Sequence, residues 1–378
     1  MKIAIVMTEP LIVRQLMKGQ LKWLNNKKYK ITVICSDGKD VEWIKNQGAD
    51  HLTINFARKI NLLQDIKCIF FLISKLKKLN PDIIHFSTPK SSLLTPLAIK
   101  LGLINARVVY TVRGRFYENY NILAKSLYKL FDLFSCYVAD KVIFISNELE
   151  KEYTDFQLVK KNKSIVINKG SSNGFDLKYF RLPTKIEKVK SKKFFRINKY
   201  SKIIAYIGRI DKDKGIEDLL ITFNRIKKNS DEKQFALLIV GSLEMNLNEL
   251  FLKLKITKNN IFIYDWIDDI RKAYWASDVL LFPSYREGFG NACIESILCG
   301  SPVVSYNIIG CRESVNDKNS GFLVPFKDKE QLYKKTKLIL DDSALRKGFV
   351  LKGSSWARSN FDHNIIWEGI ENIYKNLV

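Results

Sequence analysis

VLLFPSYREGFGNACIESILCGSPVVS, residues 279 to 305, is the stretch whose reading decides the fold. It opens with a short apolar run, Val279 to Phe282, that reads as a buried strand. Pro283, Ser284 and Gly288 break the pattern, and Asn291 to Cys299 return to helical spacing before Gly300 and Pro302 stop it. A strand, a glycine-containing loop and a helix follow one another. Glu287 lies in the loop and Glu295 in the second helical turn, seven residues between them. Asn291 is a good N-cap, which directs the first-turn amides of Ala292 and Cys293 back toward the loop. That makes an anion site beside two hydroxyl-binding acids, and Gly288 and Gly290, lacking Cβ, let a ligand approach the main chain. A phosphate and a sugar together suit it. Taken alone, however, two glutamates near a helix start are as readily solvated charges or caps.

The context narrows the choice. E-G-F-G-x-x-x-x-E followed by C-G-S-P-V-V, flanked by Asp278, Pro283-Ser284 and Gly300-Ser301-Pro302, resembles the E-x7-E segment of the retaining family-four glycosyltransferases. The resemblance implies an α/β chain of GT-B architecture: two Rossmann-like, doubly wound parallel-sheet domains facing across a cleft. It implies that Glu287 holds donor-sugar hydroxyls and Glu295 the ribose hydroxyls, with Gly288, Phe289, Gly290, Asn291 and Ala292 lining the donor site.

Composition agrees with two domains. A chain of 378 residues, 46% hydrophobic and 27% charged, is long enough for two full α/β cores. No apolar run approaches the ~18 residues of a membrane span, and the opening MKIAIVM runs straight into a folded pattern, so no signal peptide is expected and a cytoplasmic location is. Six cysteines show no C-x-x-C pairing and sit mostly in apolar segments, implying neither zinc nor a disulfide framework. The net charge of +24 calls for an anionic partner. The lysines are spread along the chain without an RNA-binding aromatic motif, so an anionic membrane surface explains them at least as well as nucleic acid.

Strands are expected at 2–7, 30–36, 50–55, 82–86, 107–112, 141–146 and 163–168, with helices at 12–24, 41–47, 62–79, 91–103, 122–139 and 147–156. This alternation predicts a parallel sheet. Thr8, Glu9, Pro10 and Leu11 follow the first strand where a dinucleotide site needs G-x-G-x-x-G, which disfavours a dehydrogenase. H-F-S-T-P-K, 85–90, resembles a run in enzymes that add sugars to bacterial lipid-linked oligosaccharides. It implies that Lys90 and His85 face an acceptor diphosphate; the alternatives are an exposed lysine and a satisfied histidine at a strand end. Arg113, in Y-T-V-R-G, stands where the family often has histidine, which keeps a hydrogen-bond donor but removes a titratable one. Segments 66–79 and 116–138 combine apolar faces with lysines and suit either a membrane surface or packing on the sheet.

G-S-S-N-G-F-D, 170–176, reads as a hinge. The domains are therefore expected at 1–170 and 201–360, with a hinge and connector at 171–200 and a C-terminal helix, 361–378, returning to the first domain. In the second domain the strand 202–208 is followed by Gly208-Arg209 and Lys214-Gly215, the G-R-x4-K-G spacing that in the family contacts the donor diphosphate. Strands 202–208 and 279–282 share one parallel sheet, so Arg209, Lys214 and Glu287 emerge at one edge. Asp211 and Asp213 spell D-x-D, but they lie between two cations in a Rossmann-like turn, so no metal or other cofactor is expected. Trp266, after the strand 260–265, either stacks near the nucleobase or fills the core.

The function implied is transfer of a sugar from a nucleotide diphosphate donor, most readily uridine-linked, to a polyprenyl-diphosphate-linked glycan of a surface polysaccharide such as capsule or O-antigen, on the inner membrane face. The competing readings are a soluble transferase acting on a small phosphorylated acceptor and a basic nucleic-acid-binding protein, which leaves Glu287 and Glu295 unexplained.

Overall fold

A computed structural model of the 378-residue chain describes residues 1–57, 61–115, 122–199, 201–228 and 234–378. Two compact units are present, the first formed by 1–174 with 363–378 and the second by 175–362. The chain therefore passes from one unit to the other twice. The stretch 171–200 is divided between them.

In the first unit, strands β1 (Lys2–Val6), β2 (Lys30–Cys35), β3 (Asp50–Thr53), β4 (Ile83–Phe86), β5 (Arg107–Val112), β6 (Lys141–Phe144) and β7 (Ser164–Val166) pair in the order β3-β2-β1-β4-β5-β6-β7, all parallel. The order of succession across the sheet reverses between β1 and β4. Such a sheet is covered on both faces, which is why its strands read as continuous apolar runs. On one face Ile3, Ile5, Val33 and Ile83 pack with Ile366, Ile370 and Tyr374 of the C-terminal helix His363–Leu377. Trp367 of that helix donates its indole N–H to Asn173 Oδ1 at 2.8 Å, so the helix is tied to the G-S-S-N-G run.

The helix expected over 12–24 is two helices, Pro10–Leu16 and Gln20–Asn26. Gly19 separates them with φ +81°, and a side chain there would meet the Trp367 ring at 2.7 Å. The other helices of this unit follow the expected positions closely: Val41–Asn46, Leu62–Leu79, Pro89–Gly102, Ile122–Val138 and Asn147–Asp155. Of the segment 116–138, residues 116–121 lie outside the described residues.

The second unit repeats the design with β8 (Lys202–Ile207), β9 (Phe235–Val240), β10 (Ile261–Tyr264), β11 (Val279–Phe282), β12 (Val303–Tyr306) and β13 (Gly321–Val324), ordered β10-β9-β8-β11-β12-β13 and all parallel. Its switch point falls between β8 and β11. The carboxyl ends of strands flanking such a switch point are where open α/β sheets bind ligands.

The lysine-rich helix Lys185–Phe194 belongs to this unit and packs on Arg271–Ala276. Asp278 anchors it. Its carboxylate accepts the Ile203 amide at 3.0 Å and the Lys188 ammonium at 2.9 Å, with Lys192 at 3.8 Å. Burial pushes this carboxyl up, but Lys188 and Lys192 more than offset that and hold it below the ordinary aspartate range. Asp278→Ala would leave the buried Lys192 and an edge amide without their anion. The expected result is a loss of about 3 kcal/mol in urea unfolding, while Lys188→Ala, removing the more exposed partner, costs less.

Candidate active site

The donor-side residues gather at the β8/β11 switch point. After β8 the chain runs through Gly208 and Arg209 into a 3-10 turn, Lys212–Lys214, that Asp211 caps by accepting the Asp213 amide at 2.8 Å. Lys214 thus ends a turn rather than opening the next helix, which begins at Ile216. Gly215 between them has φ +65°, and a Cβ there would lie 1.9 Å from the Pro283 carbonyl oxygen. Only glycine allows the turn to rest on the start of the loop after β11.

That contact is extended by hydrogen bonds. The Tyr285 amide donates to the Asp213 carbonyl at 2.8 Å, and the Arg286 guanidinium donates to the Asp213 carboxylate at 3.0 Å. Lys214 Nζ donates to Glu287 Oε1 at 2.6 Å and to the Arg286 carbonyl at 3.3 Å. Both side chains of the Lys214–Glu287 pair are largely buried. Behind the loop, the fully buried Asp218 accepts hydroxyl protons from Tyr285 and Tyr306, each at 2.8 Å, and meets Lys329 at 2.8 Å. Sequence reasoning missed Tyr285 and Asp218, and weighed Asp213 only as part of D-x-D, because each acts through a partner about 70 to 90 positions away.

Arg209 stands at the same edge, half exposed, between Asp211 at 3.2 Å and Glu244 at 2.9 Å. Tyr206, whose hydroxyl donates to the Arg209 carbonyl at 2.6 Å, is pushed well above the usual tyrosine range by burial first and then by the negative charges of Glu287 and Asp211. The two acids of D-x-D are therefore engaged by Arg209, Arg286 and the turn itself. Among the described residues, no group of three or more His, Cys, Asp or Glu is placed to hold a metal ion.

The helix after the loop spans Asn291–Leu298, and its N-cap is Gly290, not Asn291. Asn291 occupies the first helical position with its amide on the Phe289 carbonyl at 2.9 Å, and the Cys293 amide bonds the Gly290 carbonyl at 2.9 Å. The expected use of Asn291 as a cap and of the Cys293 amide as a free donor is thereby corrected: the Gly290 amide is drawn to the Gly310 carbonyl at 3.1 Å, which starts the helix one residue early. The Phe289 ring is buried against Phe361, so any ligand would meet Gly288, Phe289 and Ala292 through main chain. Glu295 accepts the Tyr274 hydroxyl at 2.7 Å. Nearby, Asp269 forms a two-pronged pair with Arg271 at 2.7 and 2.8 Å and accepts the Tyr179 hydroxyl at 3.0 Å. Trp266 is 73% exposed, which removes the core reading of that residue.

In the first unit, Lys90 and Arg113 lie at the carboxyl edge of the sheet. Thr88 caps the helix Pro89–Gly102 in a reciprocal box with Ser91, and its hydroxyl accepts the Thr8 amide at 3.1 Å, joining the loops after β1 and β4. Lys90 pairs with Asp65 at 2.7 Å. Arg113 donates to the Ser172 carbonyl at 2.8 Å and to its hydroxyl, while its buried Nε has no partner. Desolvation pulls this guanidinium down to about 10.

His85 does not face a substrate. Alternation along β4 puts it on the Ile83 face, under the C-terminal helix, where Nδ1 meets the Tyr374 hydroxyl at 2.5 Å and Nε2 the Thr111 hydroxyl at 2.7 Å. Burial, with a smaller contribution from Arg113, lowers it to about 3. It is a satisfied core histidine, neutral at physiological pH.

With this geometry in place the comparisons are informative. Residues 187–356 match the family model "Glycosyl transferases group 1" and residues 16–173 the model "Glycosyltransferase Family 4". The chain belongs to this glycosyltransferase family. It is 31% identical over 366 residues to the capsular polysaccharide biosynthesis glycosyltransferase CapM of Staphylococcus aureus, covering 96% of this chain and 94% of that one. It is 27% identical over 352 residues to the UDP-Gal:alpha-D-GlcNAc-diphosphoundecaprenol alpha-1,3-galactosyltransferase of Escherichia coli, covering 91% and 89%. A solved glycosyltransferase from Rickettsia africae superposes with a TM-score of 0.82 at 23% identity over 100% of this chain and 98% of that one, a likeness in fold. The two parallel-sheet units are the GT-B pair.

The histidine carries a pH signature. Below pH ~6.5 an unfolded histidine takes up a proton that native His85 refuses until about pH 3, so stability attributable to this site is complete above ~6.5 and falls between the two values. His85→Gln should flatten the acid limb of the urea midpoint against pH relative to wild type, with the two curves differing in slope across that window and running parallel above it.

Proposed function

We propose that this protein moves a sugar from a uridine diphosphate donor, with retention of configuration and without a metal ion, to a glycan carried on polyprenyl diphosphate at the inner face of the cytoplasmic membrane, in capsule or O-antigen assembly. The observation that carries this reading is the desolvated Lys214–Glu287 pair, 2.6 Å apart at the β8/β11 switch point, with Arg209 at the same edge. The names of the relatives, one of which specifies a UDP donor and a diphosphoundecaprenol acceptor, support the substrate classes.

Cleaving a sugar–phosphate bond leaves positive charge on the sugar and a further negative charge on the terminal phosphate of the departing diphosphate. Lys214 and Arg209 are preorganised by Glu287, Asp211 and Glu244 in an edge that water only partly reaches, so they meet the departing phosphates without reorganising. Glu287, turned toward Lys214, accepts hydrogen bonds from sugar hydroxyls next to the same phosphates. The helix Asn291–Leu298 adds its amino-terminal partial charge, and Glu295 binds the ribose hydroxyls. Trp266, exposed after β10, offers its face to the nucleobase. No side chain is assigned as base, because His85 is sealed and Arg113 does not titrate in the working range; the departing phosphate oxygen takes the acceptor's proton on the face it leaves, which yields retention. Lys90 and Arg113, at the carboxyl edge of the first unit's sheet, are the cations that attract the acceptor diphosphate.

Arg209→Ala/Lys214→Ala should lower turnover of a radiolabelled nucleotide sugar by about 10³-fold or more, since one such donor contributes ~2.7–4 kcal/mol. Near-normal turnover in the double variant would remove the assignment. In the wild type, activity is expected to persist in excess EDTA; inhibition that manganese reverses would overturn the metal-free reading.

A further inference from the structure

Three helices of the first unit, Leu62–Leu79, Pro89–Gly102 and Ile122–Val138, lie side by side on the sheet face opposite the C-terminal helix. The first is apolar on two sides. Cys68, Leu72 and Leu76, at i, i+4 and i+8, are buried toward the core, whereas Leu63, Ile66 and Phe70, at i, i+3 and i+7, point the other way and are 77%, 51% and 68% exposed. Ile122–Val138 also carries apolar side chains on its outer side, although its inner side is partly polar. Asp132, Ser135 and Cys136 face inward, and Leu123, Leu130 and Tyr137 face out. Between them Leu101 and Leu103 are also bare. A contiguous apolar surface of this kind on a protein marks an interaction site.

Charge identifies the occupant. The three helices contain two acidic residues, Asp65 and Asp132, and both are buried: Asp65 pairs with Lys90, and Asp132 accepts the Tyr153 and Tyr110 hydroxyls. The outward surface therefore presents leucines and phenylalanines among Lys67, Lys77, Lys78 and Lys100, all exposed, and no carboxylate from these helices. Two copies of such a face would set lysine against lysine, and protein interfaces deplete lysine at their centres. An anionic lipid surface satisfies both halves, taking the apolar side chains at the headgroup–acyl boundary and the ammonium groups at the phosphates.

Position strengthens the argument. These helices run antiparallel to the strands they connect, so Leu62, Leu63, Ile122 and Leu123 stand at the carboxyl edge of the sheet, the edge that carries Lys90 and Arg113. We propose that the outer face of helices Leu62–Leu79 and Ile122–Val138 seats the protein on an anionic bilayer, with its most exposed end beside the acceptor-side cations. The proposal rests on the acceptor being lipid-carried, and it names the surface through which such an acceptor is met. Among the described residues no helix is long and apolar enough to cross a membrane, so the contact is one of docking.

The test is flotation of the full chain with phosphatidylcholine vesicles containing phosphatidylglycerol and with pure phosphatidylcholine vesicles, with UDP binding measured on the same samples. Wild type should float with the anionic vesicles and not the neutral ones. Leu63→Glu/Phe70→Glu/Leu130→Glu, all at exposed positions, should weaken this by about tenfold or more with an unchanged melting curve and unchanged UDP binding. Lys77→Glu/Lys78→Glu tests the charge half and should weaken it less. Equal flotation of wild type and the apolar triple variant would overturn the proposal, as would absence of wild-type flotation or a dimer that the triple variant dissolves. UDP binding without flotation defeats this proposal alone; flotation without UDP binding defeats the catalytic reading and leaves the docking face standing.

Discussion

The second unit's site depends on a single close approach, the turn 211–215 lying on the loop 283–287. Gly215 permits it, the Tyr285 amide and the Arg286 guanidinium fasten it to Asp213, and Lys214 and Glu287 are thereby forced together with little water between them. An ion pair taken out of solvent is costly to form and contributes little to stability by itself. What it supplies here is placement. The cation and the carboxylate are held within one hydrogen bond of each other at the switch point. Asp218 extends the constraint backward: by fixing two tyrosine hydroxyls from beneath the loop it ties the strand ends of β11 and β12 to the helix that follows the turn.

Charge is distributed unevenly between the switch point of the second unit and the outer helices of the first. At the switch point three cations each have a carboxylate within reach: Arg209 with Asp211 and Glu244, Arg286 with Asp213, and Lys214 with Glu287. Such cations are oriented groups, and they act over one or two bonds. On the outer helices of the first unit the acids are withdrawn into the interior, and Lys67, Lys77, Lys78 and Lys100 form no ion pair among the described residues, so their field acts over a Debye length rather than at contact. The net charge of +24 therefore says less about the site than about the surface.

Much of this was legible in the sequence. The alternation of buried strands and helices gave both sheets nearly residue for residue, because parallel strands covered on both faces announce themselves as unbroken apolar runs. The same property hid the side on which a residue points: nothing in D-I-I-H-F distinguishes a histidine aimed at the sheet edge from one beneath a helix 289 positions later, and the Tyr374 partner decides it. E-G-F-G-x4-E located the glutamates, but the helix starts at Gly290 because a distant carbonyl, Gly310, pulls its amide, which overrides the capping preference of Asn291. The 12–24 segment read as one helix; the break at Gly19, where an indole from residue 367 lies against the backbone, depends on a partner far along the chain.

The double passage between units has a consequence for biosynthesis. A ribosome releases the whole of the second unit, 175–362, before it releases the helix His363–Leu377 that closes one face of the first. The face of the first unit is thus completed only after the second unit has been made: Val13, Met17, Leu21 and Ile44 can already lie over part of it, but the patch under Ile366, Ile370 and Tyr374, with the ring of His85, waits for the helix His363–Leu377.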